Sequence, residues 1–202
     1  KVVPESATRV AEIQSGNAHI IGTVEPIQVA NVNASGVATV DETPSSSLTY
    51  IGFNTQKEPF NNPLVRQAIS KAIDRQALID GIYEGFAIPA ISPLSPGIFG
   101  YTTDVTSMEY NIEEAKALLA EAGYADGFKT TIWTNDSPTR KNVAIVLQQG
   151  LKELGIELEI QELEWGAYLE KTAAGEHDMF ILGWSNGTGD ADYGLYALFH
   201  SS

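Results

Sequence analysis

The feature that most constrains the fold of this chain is an alternation, after Leu48, of short apolar segments with amphipathic helical patterns. The predicted strands cover residues 48–54, 128–133, 156–161 and 178–182, and the predicted helices begin near residues 63, 112, 138, 165 and 191. Strands that alternate with helices are typical of an α/β fold, in which helices cover a sheet. The sequence therefore predicts an α/β structure from residue 48 onward.

Capping residues mark where several of these helices begin and end. Asn62, Asn111 and Ser137 are polar residues of the kind that accept hydrogen bonds from the first turn of a helix. Gly123 and Gly155 follow the last apolar positions of two helices, where glycine favours the left-handed conformation that ends a helix. The segment 178–182 is a continuous apolar run, which predicts a strand buried on both faces.

The first 47 residues have weaker signals. Residues 5–15 have a modest helical pattern, residues 18–21 predict a short strand, and residues 22–47 are rich in Pro, Ser, Asn and Thr. That composition is typical of an extended connection, here with room for one short helix. We therefore expect a boundary near residue 47, between a helix–strand piece (1–47) and the α/β part (48–202).

The net charge of −14 argues against nucleic-acid partners and anionic membrane surfaces. Both attract clusters of Lys and Arg, and the chain has 12 of these residues against 26 Asp and Glu. The chain has no cysteine, so disulfides, thiolate metal sites and cysteine nucleophiles are excluded as well. No apolar run reaches the roughly 18 residues that a membrane-spanning helix needs. Because Lys1 already lies close to a helical pattern, we expect the chain to be a piece of a longer protein.

Two predicted strand ends carry side chains that suit a ligand site. Open α/β sheets hold ligands at the carboxyl ends of their strands. The segment after the last strand contains Gly183, Trp184, Ser185, Asp190 and Asp192. Another strand ends at Trp133, before a loop that leads to Arg140. The glycines between 183 and 194 would let a ligand approach the backbone closely.

Several segments resemble, in the same order along the chain, a known family signature. They are Tyr50–Asn54, Pro59–Ala68, Ala72–Arg75, Glu114–Tyr124, Leu154–Ile156, Glu164–Leu169 and Leu182–Trp184. On these motifs the chain is identified as a member of the large bacterial solute-binding proteins of peptide ABC transporters, family 5. That family includes oligopeptide-, dipeptide-, glutathione- and nickel-binding proteins.

The resemblance implies a periplasmic-binding-protein-like fold of type II, with a mixed sheet and flanking helices. Family members have two lobes that close over a ligand. Residues 48–202 would then be an incomplete C-terminal ligand-binding lobe, and residues 1–47 would be a helix–strand piece of the N-terminal lobe plus the connection. The chain is expected to be a fragment of such a two-lobe protein.

The resemblance also implies a function. The protein would be a binding component, not an enzyme, that captures short peptides without a cofactor and delivers them to the permease subunits of an ABC importer. It would work outside the cytoplasm of a bacterium, either lipid-anchored at the cell surface or in the periplasm. The alternative within the same family is another ligand, such as glutathione, a nickel chelate, haem or a sugar.

The resemblance implies ligand contacts for Trp165 and Trp184, together with Gly183 and Ser185 in the same segment. In peptide-binding members an Asp three residues after the second Trp grips the peptide amine, but this chain has Gly187 there. A carboxylate is still needed for that amine, and two later residues could supply it. These are Asp190 and Asp192, for which the alternative role is to cap a helix that begins near residue 191.

By the same analogy, Arg140 would bind the peptide carboxylate, Trp133 would precede the loop that carries it, and Asn54 would end a strand on the cleft side. The alternatives are a solvated Arg140 in the first turn of a helix and an Asn54 that caps a turn.

Other kinds of site find little support in the sequence. The three histidines lack metal-ligand spacing, and the segment 190–195 departs from the calcium-loop pattern where a ligand and the turn glycine should fall. The segment 187–189 lacks the Lys of a phosphate loop. Glu162 and Glu164 resemble a glycosidase pair only in their proximity, and the simpler interpretation is that both are solvent-exposed surface residues. A hydrolase is therefore the weakest of the functional hypotheses.

Overall fold

The structure, a computed structural model, describes residues 1–200. The chain divides into two compact units, one formed by residues 1–44 with 79–88 and the other by residues 45–78 with 89 onward. The first unit thus takes in residues 79–88, which the sequence places in the α/β part. The assignment of the units to different lobes of a larger protein stays a prediction.

The first unit contains helices α1 (Ser6–Gln14) and α2 (Pro26–Ala34). Val10 of α1 and Val29 and Val32 of α2 are buried. The two helices confirm the predictions for residues 5–15 and for one short helix after residue 22. The strand predicted over residues 18–21 is wrong, because these residues form no ladder with another segment and Ile20 is 89% exposed. A short apolar run becomes a strand only when a neighbouring segment satisfies its backbone groups.

The remaining strands and helices follow α2 along the chain. In order, they are β1 (Ser47–Phe53), α3 (Pro63–Lys71), α4 (Arg75–Ile82), α5 (Ile112–Glu121), β2 (Lys129–Thr134), α6 (Pro138–Leu151) with a 3₁₀ turn over Lys152–Leu154, β3 (Glu157–Glu162), α7 (Trp165–Ala173), β4 (Met179–Ser185) and α8 (Ala191–Phe199). Each strand and helix predicted after Leu48 is present, and the strand ends differ from the prediction by at most three residues.

The sheet is mixed and its strand order is β1-β4-β2-β3. β1 runs antiparallel to β4, whereas β2 is parallel to both β4 and β3. The connections β2-α6-β3 and β3-α7-β4 cross the sheet in opposite directions. Because such crossovers are right-handed, α6 and α7 cover opposite faces. The α/β fold with flanking helices is confirmed, and the carboxyl ends of β2, β3 and β4 lie at one edge.

Caps predicted from the sequence position the helices. The Asn62 side chain accepts a hydrogen bond from the first turn of α3, and Asn111 Oδ1 accepts from the Glu114 backbone nitrogen at 3.0 Å. α3 and α5 pack against each other through fully buried residues. These include Val65, Ala68, Ala115 and Leu119. Lys71 of α3 and Glu114 of α5 form an ion pair at 3.0 Å, so this helix pair is held by both apolar and charged contacts.

β4 lies in the interior of the strand order but is buried on one face only. Met179 and Ile181 are 1% and 0% exposed, whereas Phe180, Leu182 and Trp184 on the other face are half-buried. The predicted burial of both faces is therefore wrong. Hydrogen bonds on both sides of a strand do not require that helices cover both of its faces.

No helix among residues 1–200 combines the length and the apolar character needed to cross a membrane.

Candidate functional site

The carboxyl ends of β2, β3 and β4 form a stepped edge of the sheet. Trp133 of β2 pairs with Phe180 of β4, so β2 ends at the level of Ile181, while β4 continues to Ser185. The last residues of β4 are therefore paired with β1 on one side only. Beside them, the loop after β2 and the first turn of α6 approach the strand. Such edges of open α/β sheets are where ligands bind.

Arg140, in the first turn of α6, lies at this step and contacts two other predicted site residues. Its Cζ atom is 5.7 Å from the centre of the Trp165 ring, a cation–π distance. A β-carbon placed on Gly183 would lie 3.5 Å from Arg140 Nη2. Arg140 Nη1 donates to Asn135 Oδ1 at 3.0 Å. The half-buried guanidinium is thus held by an aromatic ring and an amide, and it lies close to Gly183.

No carboxylate among residues 1–200 forms an ion pair with Arg140. Its charge influences two tyrosines, Tyr50 and Tyr168. Burial raises the pKa of both phenols, and the Arg140 charge opposes that rise in each case. The raised pKa values favour the neutral form of both tyrosines, so neither phenol pairs with the guanidinium as an anion.

The Trp165 ring, against which Arg140 packs, is in turn held by Tyr168. Trp165 is the first residue of α7 and is 43% exposed. It stacks on Tyr168 with ring centres 5.8 Å apart. The Tyr168 hydroxyl donates to the Ile181 carbonyl oxygen at 2.6 Å, which ties α7 to β4. Glu164 begins this helix by accepting hydrogen bonds from the backbone nitrogens of Gly166 and Ala167.

These backbone hydrogen bonds lower the pKa of Glu164. A general acid needs the opposite shift, so Glu164 is suited to capping the helix and not to the general-acid role of a glycosidase pair. Its neighbour Glu162 forms an ion pair with Lys141 at 2.7 Å. Among residues 1–200 no group of three His, Cys, Asp or Glu side chains is arranged to hold a metal ion.

Trp184 forms a second aromatic cluster farther along β4. Its ring centre is 5.1 Å from that of Tyr193 in α8, and its Nε1 donates to Asn186 Oδ1 at 3.1 Å. Ser185, the last residue of β4, is exposed, and its hydroxyl forms a hydrogen bond with that of Ser47 in β1. These contacts fix the end of β4 before the loop that leads to α8.

The loop from β4 to α8 carries the two predicted carboxylates. Asp190 caps α8, because its Oδ1 accepts from the Asp192 backbone nitrogen at 2.9 Å. The loop is also paired with the segment between α4 and α5, since Phe99 exchanges backbone hydrogen bonds with Gly189 and Ala191. Asp190 and Asp192 are both exposed. The capping alternative thus holds for Asp190, and the predicted ligand contacts stay predictions.

Two predicted site residues do not join this edge. Asn54 follows β1, which is antiparallel to β4, and its backbone nitrogen bonds to the Asp178 carbonyl oxygen. It therefore lies at the opposite edge, roughly 20 Å away along the strands. Its buried amide donates to the carbonyl oxygens of Gly175 and His177 at 2.8 and 3.0 Å. Trp133 is 7% exposed and packs against the His177 ring in the interior.

Sequence reasoning missed Tyr50, Tyr168 and Asn186 as parts of the site. The alternation of β1 was a usable signal for Tyr50, because every second residue of a strand faces the same side. Tyr168 follows Trp165 by three residues and so shares its side of the helix. Asn186 had no comparable signal, because its burial depends on contacts with α8 that only the folded chain makes.

A family model described as bacterial extracellular solute-binding proteins, family 5, middle region, matches residues 1–202. Among curated relatives, heme-binding protein A of Haemophilus influenzae is 34% identical over 100% of this chain and 38% of its own length. The dipeptide-binding protein of Escherichia coli is 30% identical over 98% of this chain and again 38% of its own length. The chain thus spans about two fifths of the curated relatives that it matches.

Solved structures give the same result. The periplasmic binding protein DppA of Helicobacter pylori, solved with the peptide STSA, superposes with a TM-score of 0.90 at 38% identity. That match covers 98% of this chain and 38% of the Helicobacter protein. The fold of the described chain is therefore that of part of a periplasmic binding protein.

Proposed function

The chain belongs to the bacterial extracellular solute-binding proteins of family 5, and on that premise we propose that the full-length protein is the peptide-binding component of an ABC importer. Relatives named for dipeptides and a structural neighbour that holds a tetrapeptide support a peptide as the ligand. The location that goes with this role is outside the bacterial cytoplasm, at the cell surface on a lipid anchor or in the periplasm.

The observation that carries the proposal is the guanidinium of Arg140, which forms no ion pair with a carboxylate among residues 1–200. A peptide of any sequence ends in a carboxylate, and a guanidinium forms paired, charge-assisted hydrogen bonds with that group. Contacts within the chain itself hold Arg140 against Trp165 and Asn135. Binding then costs little side-chain entropy. The Arg140 role was expected from the resemblance, and the geometry of the step supports it.

The aromatic residues give the site tolerance for different side chains. Trp165 and the Trp184–Tyr193 pair offer broad apolar surfaces that do not demand one shape. For the peptide amine, Asp192 is the better candidate, because one carboxylate oxygen of Asp190 already serves as the cap of α8. Gly183 and Ser185 would offer backbone groups to the peptide amides.

Capture would take place between two lobes, of which this chain provides a large part of one. Closure is favoured only by contacts that the open form cannot make. Delivery to the permease would follow from recognition of the closed form by the membrane subunits.

Ligand identity is tested first by native mass spectrometry of the full-length protein purified without added ligand. Peptide import predicts a mixture of bound peptides of different mass. A single defined mass would support a different ligand within the family. Because one relative is named for haem, hemin and glutathione are titrated in parallel. Turnover of any titrated compound would contradict a pure binding role.

The Arg140 role is tested with trialanine and its C-terminal amide. We expect the amide to bind about 10- to 100-fold more weakly than the free acid, since a charge-assisted hydrogen bond is lost. In Arg140→Met this difference should disappear, as measured by calorimetry. Lys152→Met, an exposed position beyond the far end of α6, is the matched control and should keep the difference. Equal discrimination in wild type and Arg140→Met would exclude the proposed carboxylate contact.

A further inference from the structure

Asn186 is a fully buried polar residue near the proposed site, with 1% of its surface exposed. It directly follows Ser185, the last residue of β4, at a position where polar side chains normally reach solvent. Its Oδ1 accepts from Trp184 Nε1 at 3.1 Å, and its backbone nitrogen donates to the Ser46 carbonyl oxygen at 3.2 Å. The side chain is therefore turned inward against the indole.

The orientation of the Asn186 amide follows from hydrogen-bond chemistry. The indole nitrogen of Trp184 can donate but cannot accept, so the amide oxygen must face it. The amide nitrogen Nδ2 then points elsewhere, and among residues 1–200 it has no hydrogen-bond partner. A buried donor without a partner lowers stability, and an apolar residue of similar size would avoid that cost. Stability alone thus does not explain an asparagine here.

Gly194 of α8 makes room for this arrangement. A β-carbon at residue 194 would overlap Asn186 Oδ1 and would lie 3.2 Å from Trp184 Nε1. Glycine inside a helix is otherwise unfavourable, because it loses more backbone freedom on folding than alanine does. Glycine at position 194 leaves the space in which the Asn186 amide and the Trp184 indole edge lie against the backbone of α8.

From these contacts we infer that Asn186 is a positioning residue that fixes the Trp184 indole for ligand binding. The amide oxygen holds one edge of the indole, Gly194 lets both groups approach α8, and the Tyr193 ring lies against the indole at 5.1 Å. The orientation of Trp184 is then set before a ligand arrives. This role rests on the proposed function, because it assigns to Trp184 a ligand contact.

The test uses the full-length protein labelled with ¹⁵N, in which the Trp184 indole signal is identified by its loss in Trp184→Phe. In Asn186→Leu we expect the Trp184 Nε1–H signal to shift and its exchange with solvent to accelerate about tenfold, because the hydrogen bond is lost. Trialanine affinity should fall about tenfold, while the urea midpoint of unfolding stays the same or rises. Asn186→Asp keeps an acceptor oxygen, so the indole hydrogen should still exchange slowly and affinity should stay within about threefold of wild type, while burial of the carboxylate lowers the urea midpoint.

Asn142→Leu, an exposed position on α6, is the matched control and should change none of these quantities. Gly194→Ala disturbs the same hydrogen bond from the side of α8, because its β-carbon would overlap Asn186 Oδ1. If Asn186→Leu does not fold, Gly194→Ala tests the positioning role in its place. The positioning role is overturned when both variants leave the Trp184 signal unchanged, or when the signal moves and trialanine affinity does not. A loss of affinity that only parallels a loss of stability also overturns it. If the wild-type protein binds no peptide, the proposed function fails. The Trp184 indole signal then still tests whether Asn186 fixes the indole: a shift in Asn186→Leu supports that placement, and an unchanged signal overturns it.

Discussion

His177 is a buried titratable residue away from the proposed site. It precedes β4 and is 7% exposed, and its ring packs edge-on against Phe180 at 4.8 Å and against Trp133 at 6.1 Å. Burial, and secondarily the charge of Lys57, lowers the pKa of His177, while Asp178 acts weakly in the opposite direction. Folding therefore favours the neutral form of this imidazole.

The lowered pKa predicts how stability depends on pH. The unfolded chain binds a proton at His177 near pH 6.5, before the folded chain does. The contribution of neutral His177 is therefore complete above about pH 6.5 and is lost as the pH falls through and below that value. Urea unfolding between pH 5 and pH 8 measures this trend. His177→Phe should flatten it, whereas the exposed His19→Gln should not; equal slopes in wild type and His177→Phe would refute the assignment.

At the residue scale the chain also contains a close approach between two glycines. Gly127 has a φ of +77°, and a β-carbon there would overlap the carbonyl oxygen of Gly155, which itself has a φ of +73°. We expect Gly127→Ala to lower the free energy of unfolding by at least about 2 kcal/mol, through strain and overlap together. Gly81→Ala in α4 has open space around it and should instead stabilise the protein by up to about 1 kcal/mol. Denaturant titration compares the two, and similar effects would contradict the role of Gly127.

Helix α8 begins with two carboxylates, one that caps the helix and one that is proposed to bind the ligand. Asp190 caps this helix, and Asp192 lies in its first turn. Asp190→Ala should destabilise the protein by about 1 kcal/mol, whereas Asp190→Ser keeps a capping oxygen and should recover most of that loss.

Peptide affinity separates the two carboxylates. We expect Asp190→Ser to bind trialanine within about threefold of wild type, while Asp192→Ser should lose at least about tenfold, the effect of removing a charge-assisted hydrogen bond. N-acetylated trialanine, which lacks the charged amine, is the matched ligand control. The reverse order of the two variants in calorimetry would assign the amine contact to Asp190.

At the scale of the whole molecule, the chain spans about two fifths of its curated relatives. Two-lobe capture predicts that this chain alone binds peptide far more weakly than the full-length protein does, because the opposing contacts are missing. Calorimetry with trialanine on both proteins measures the difference, with circular dichroism to verify that the shorter chain is folded. Equal, micromolar affinity of the two would rule out capture between lobes.

Local signals in the chain were sufficient to predict the strands and helices from β1 onward. Caps such as Asn62, Asn111 and Gly155 act on backbone groups within about four residues, and apolar periodicity depends only on helix and strand geometry. The same locality explains the failure at residues 18–21, where a strand-like run has no partner. It also explains the overestimated burial of β4, since helix coverage depends on distant segments.

Which side chains meet depends on contacts that form only in the folded chain. The register that ends β2 at the level of Ile181 created the step in which Arg140 lies over Trp165 and beside Gly183. The antiparallel direction of β1 moved Asn54 to the other edge, and packing against α8 buried Asn186. Strand register and helix packing come from contacts between residues far apart in the chain, which no local pattern encodes.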